Sequence, residues 1–145
     1  MKISTMTALC AAVVLAAGCG GGGGYGSSSQ TSNPADDPNG PMTATFASIQ
    51  SHVFTPICAA CHAGATPPQG LKLDAANSFT MLVGVASAEV PALKRVAAGD
   101  AANRYLVLKL EGHAAVGARM PFGGPYLDAN TIGLIRQWID NGAKP

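Results

Sequence analysis

From Thr43 onward the apolar residues fall at helical spacing. TFASIQSHVF sets Phe46, Ile49, Val53 and Phe54 on one stripe, which predicts a helix with a single buried face. Pro56 carries no N–H and is expected to end that helix, with Thr55 and Pro56 opening a new short turn. Further on, LKLD leads into a helix predicted from Asp74 to about Val83. Asp100 suits the N-cap of AANRYLVLKLEG, where Ala102, Tyr105, Leu106 and Leu110 share a face and Gly112 fits the exit. The clearest pattern is the last. Asp128 caps ANTIGLIRQWIDN, Ile132, Ile135, Trp138 and Ile139 face inward, and Gly142 closes the helix. No stretch alternates apolar and polar residues long enough for a strand, and no segment repeats. The expected fold class is all-α, with about four helices in one small domain over residues 43–145. So short a chain buries a modest core, and part of its interior can come from something other than side chains.

The beginning of the chain has another texture. MKISTMTALCAAVVLAAGC starts basic at Lys2, runs apolar to Ala17 and ends in small residues before Cys19. That is the layout of a secretory signal, with an apolar run short for a membrane span. Its ending, LAAGC, resembles the lipobox of bacterial lipoproteins, with Leu15 one place earlier than the leucine usual in that family. The resemblance implies a signal peptide over residues 1–18 and lipidation of Cys19 as the new N-terminus. Ordinary cleavage nearby, leaving a soluble periplasmic protein, is the alternative. Gly20 stands where inner-membrane retention takes Asp, so a lipoprotein on the periplasmic side of the outer membrane is expected in a cell that has one. Residues 19–42 then read as a disordered tether, because GGGGGYGSSSQTSNPADDPNGPM holds little apolar surface to offset ordering entropy. A Gly/Ser-like coil of that length spans roughly 25–30 Å.

Charge narrows the partners. Nine basic residues stand against eight acidic ones, and removal of Lys2 with the leader balances them. No surface for a polyanion is implied, and nucleic acid is not an expected partner.

The chemistry concentrates in CAACH, residues 58–62, which takes two of the four cysteines. Three centres use such a pair: a disulfide-exchange site, half of a zinc site, or a covalent haem attachment. A redox dithiol belongs after a strand and at the start of a long helix, which the pattern here lacks. Zinc needs two more ligands; outside the leader only His52 and His113 remain, and adjacent Cys61 and His62 fit one tetrahedron poorly. Haem fits best. At positions i, i+3 and i+4, Cys58, Cys61 and His62 project to one side of a helical turn. Two thioether bonds and one axial nitrogen can then meet a single haem c, the signature that C-x-x-C-H carries. Export agrees, since bacterial haem attachment takes place outside the cytoplasm.

A second axial ligand would make the iron an electron carrier rather than a small-molecule binder. Met42, Met81, Met120, His52 and His113 are the candidates. Met81 sits among apolar neighbours and reads as core, His52 as solvent-facing, and His113 as a possible replacement for Met120. Met120 stands in GARMPFGGP, a Gly/Pro-rich loop in which Pro121 restrains the backbone beside it. With CAACH, AAGDAANRYLVLKL, RMPFGG and LDANTIGLIRQWIDNGA in place, residues 43–145 resemble the small monohaem c-type cytochromes, specifically single-domain relatives on bacterial lipoproteins. The resemblance implies a cytochrome c-like fold around one covalent haem c, with His62 as proximal and Met120 as distal iron ligand. It implies a backbone carbonyl between Ala65 and Pro68 as acceptor for the His62 ring N–H. Trp138 becomes a packing residue near Phe46 or Ile49. Lys94, Arg95, Arg104, Lys109 and Arg119 would meet haem propionates, rim a docking face or form an ordinary solvated surface. The function expected is single-electron transfer, not enzymatic turnover, between periplasmic or membrane redox proteins, by a monomeric domain or as a subunit of an oxidoreductase complex. The alternatives are a five-coordinate haem c protein acting as gas sensor or peroxidase, and a haem-free thiol oxidoreductase.

Overall fold

A computed structural model describes Asp37 and residues 39–145. The signal peptide, Cys19 and most of the tether lie outside the described residues. Among the described residues there are four α-helices: α1 Phe46–Ile49, α2 Ser78–Leu82, α3 Tyr105–Glu111 and α4 Ala129–Asp140. A π-helical stretch, Gln50–Cys58, continues α1, and one 3₁₀ turn covers Pro68–Gly70. Two isolated β-bridges, Val83 with Val96 and Ala86 with Lys94, tie the central loops. The class is all-α, and among the described residues no helix is long and apolar enough to cross a membrane.

The first helix departs from expectation at Pro56. Instead of stopping, the chain runs through it to Cys58 in a widened turn, with the Ala59 N–H donating to the Phe54 carbonyl at 2.8 Å. The wider turn makes room for a ring that an α-helix would reject, and Thr55, Pro56 and Ile57 are exposed. Thr45 caps the start, its hydroxyl accepting from the Ser48 N–H. Contacts with the helical part reach back before residue 43. The Thr43 N–H donates to Ser48 Oγ at 2.9 Å, Met42 packs on the core, and His52 Nε2 bonds the Gly40 carbonyl at 2.9 Å. His52 is therefore not solvent-facing; its Nδ1 also reaches the Ser48 carbonyl at 2.8 Å.

Two further helix starts differ. The helix expected from Asp74 begins at Ser78, after a turn in which the Asp74 carbonyl accepts from Asn77 and Ser78. The helix expected from Asp100 begins at Tyr105. Asp100 instead closes the turn before it, bonding Asn103 and pairing with Arg104. As a result Ala101 and Val107 are buried, while Ala102 is exposed and Leu106 half-buried. Gly112 leaves α3 in the left-handed conformation, φ 80°.

The last helix follows its pattern throughout. Asp128 Oδ1 accepts from the Thr131 N–H at 2.9 Å, and Ile132, Ile135, Trp138 and Ile139 are buried. They join Ile49, Val53, Phe54, Leu73, Leu82 and Val107 in one core. Phe46 seals its edge against Trp138, ring centroids 5.5 Å apart, and against Phe79 at 5.0 Å edge-to-face.

These contacts predict a pH response. Hydrogen bonds from the Thr131 backbone and hydroxyl hold the Asp128 carboxyl below its ordinary value of 3.8. Burial raises the Glu89 carboxyl, but the Lys109 and Tyr105 bonds outweigh it and leave it below 4.5. A depressed folded-state value means the stabilisation is complete above the unfolded value and lost as pH falls through the folded one. Stability is expected to be flat near neutrality and to fall below about pH 4.5. Urea unfolding of Asp128→Asn should show a shallower acid limb than wild type; an identical limb would remove Asp128 from the account.

Candidate functional site: the Cys58–His62 turn and the Met120 loop

The candidate residues lie on one turn and two loops. After the π-helical stretch, the Cys61 and His62 N–H groups both return to the Cys58 carbonyl, at 3.2 and 2.8 Å. The motif is thus a single closed turn. Neither cysteine is in a disulfide; Cys58 is half-buried against the core and Cys61 is exposed. Burial pushes the Cys58 thiol up to about 12.

His62 is held from both sides. Its ring Nδ1 donates to the Leu71 carbonyl at 3.2 Å, and its own carbonyl accepts from the Leu73 N–H at 2.7 Å. A carbonyl only accepts, so this bond puts the proton on Nδ1 and leaves the Nε2 lone pair for a metal. The acceptor lies three residues past the 65–68 window expected. The chain between is consumed by the 3₁₀ turn, with Gln69 and Gly70 in the left-handed region, φ 55° and 61°. Arg95 ties this loop down, donating to the Gln69 and Met81 carbonyls. Gln50, buried on the π-helical stretch, fixes its far end by donating to the Leu73 carbonyl at 3.0 Å and accepting from Ser78. Neither Gln50 nor Leu71 stands out in the sequence, since one is an amide in an apolar stripe and the other acts through its backbone.

Met120 is half-buried and packs on the same core as Cys58 and Leu71. Its N–H donates to the Lys109 carbonyl at 2.9 Å, which docks the loop on α3. The peptide bond to Pro121 is cis. Apolar side chains beside both halves of the site are exposed: Ile57 next to Cys58, and Phe122, 79 % exposed, two residues after Met120.

The other candidates fall away from this arrangement. Met81 is half-buried at the edge of the core rather than within it, and its sulfur accepts the Lys72 N–H at 3.2 Å. His113 is 72 % exposed and lies 3.5 Å from Glu111. Met42 packs on the core at the domain's entrance. All five cations of the basic stretch have partners within the chain: Lys94 bonds the Gly84 carbonyl, Arg95 the two carbonyls above, Arg104 Asp100, Lys109 Glu89, and Arg119 the Leu110 carbonyl. Two surface clefts lie elsewhere, one between Glu111, Arg119 and Arg136, the other between Phe46, Trp138 and Lys144. Among the described residues no three His, Cys, Asp or Glu side chains converge on a point. A tetrahedral zinc site needs such a convergence, whereas a porphyrin iron takes four nitrogens from the ring and needs one protein donor on each face. The donor set of Cys58, Cys61, His62 and Met120 fits the latter.

Comparison with protein-family models, with curated proteins and with solved structures returns no significant match.

Proposed function

We propose that residues 43–145 carry one covalent haem c and pass single electrons, with Cys58 and Cys61 as thioether anchors, His62 Nε2 as proximal and Met120 Sδ as distal ligand. The observation that carries this reading is the closed Cys58–His62 turn, whose histidine has its Nδ1 proton committed to Leu71. A haem bound there supplies Fe(III)/Fe(II) chemistry. The chain does the rest. Gln50 and Arg95 fix the loop that orients the imidazole. The apolar residues on which Cys58 and Met120 pack would keep water from a bound haem, and exposed Ile57 and Phe122 are available to cover it. Buried Cys58, its thiol pushed up to about 12, is a poor attacking thiolate and counts against the thiol oxidoreductase. The proposal extends to export, a lipid on Cys19 and a tether on the periplasmic side of the membrane, with redox proteins as electron donor and acceptor.

The test is the protein matured in a host competent for haem attachment. It should be red, carry the added mass of one haem, and keep its colour on the polypeptide through denaturation. A colourless product with two titratable thiols overturns the reading.

A further inference from the structure

Lys109 is the one charged residue that is buried among those described, at 7 % exposure. Its ammonium lies 3.1 Å from Glu89 Oε2, and the Tyr105 hydroxyl donates to the same oxygen at 2.9 Å. Both donors also reach the Val116 carbonyl, Tyr105 at 2.9 Å and Lys109 at 3.4 Å. Four residues on, the Lys109 carbonyl receives the Met120 N–H. The loop between has little apolar contact of its own, since Ala115, Val116, Gly117 and Ala118 are all exposed. Its position therefore depends on polar bonds. Gly117, φ 73°, passes so close to the ion pair that a Cβ there would strike Glu89 Oε1 and Lys109 Nζ. Buried ion pairs contribute little net stability compared with apolar residues of the same volume, so what this one contributes is geometry.

We infer that Glu89, Tyr105 and Lys109 are positioning residues: they clamp the 113–120 loop onto α3 and so hold the Met120 sulfur at the iron. This rests on the haem reading above. Removing the clamp leaves Met120 in the chain but lets it leave the metal, so an added ligand competes more easily.

The readouts are the far-red iron–methionine band of the ferric protein, its affinity for imidazole, and amide exchange at Met120. Lys109→Met should weaken the band and raise imidazole affinity about tenfold, the equivalent of about 1.4 kcal/mol. Tyr105→Phe should act in the same direction, several-fold. Both should speed exchange at Met120. Ile135→Val, in the core face of α4, should lower stability without moving band or affinity. If Lys109→Met fails to fold, Tyr105→Phe and the charge-neutral pair Glu89→Gln/Lys109→Met decide. Unchanged imidazole affinity in folded variants overturns the inference, whether or not Met120 exchange speeds up. A wild-type protein that binds haem but lacks the band would instead overturn the Met120 assignment, and unaltered Met120 exchange in the variants would then dispose of the clamp as well.

Discussion

Alanine at both Cys58 and Cys61 should abolish haem that survives denaturation, while a red wild-type protein keeps it. The reason is bond type. A thioether persists when the fold is lost, whereas the bonds proposed from iron to His62 and Met120 would depend on the fold. The two sulfurs are not equivalent. Cys61 is exposed and its replacement costs the fold little. Cys58 packs on the core beside Leu71, so serine there would bury a hydroxyl at a cost of about 1–3 kcal/mol, and alanine is the cleaner choice. Each single variant should keep one thioether and its colour after denaturation, with a red-shifted reduced spectrum from the vinyl group left free. Pyridine haemochrome spectra of denatured samples check this. Covalent colour in the double variant would place the attachment elsewhere and dissolve the argument from spacing.

The helix α4 was legible from its periodicity because every determinant is local: a capping carboxylate, four apolar residues at helical spacing and a closing glycine. The starts of α2 and α3 were not. Asp74 and Asp100 are good caps, but each closes a turn ahead of the helix, and what decides is the fit of Ser78 and Val107 into the core. Pro56 illustrates the opposite case, a strong local signal overridden by a wider turn. At the site, the turn from Cys58 to His62 was readable from spacing alone. The Leu71 carbonyl was misplaced because two left-handed residues lengthen the path of the loop. Glu89 could not be read at all, since the residue it meets lies 20 positions away.

Met120→Ala should lower the reduction potential on the order of 0.1–0.3 V, a fraction of the roughly 0.8 V that axial ligands span. A thioether favours the reduced iron; water or an open position does not. Alanine also removes packing, because Met120 contacts the core, and a looser pocket would itself move the potential. Met120→Leu separates the two effects. It keeps the volume at a cost below about 1.5 kcal/mol yet offers the iron no donor. Both variants should lose the far-red band and bind imidazole readily, and leucine should match wild type in thermal unfolding more closely than alanine does. The Met120 N–H bond to Lys109 is a backbone bond and survives either change, so the loop stays docked. His113, solvent-exposed beyond Gly112, would have to drag the end of α3 inward to take the sulfur's place, breaking its contact with Glu111. If the wild-type protein lacks the band and both variants keep its potential, His113 already holds that place, and His113→Ala should then produce the loss that Met120→Leu did not.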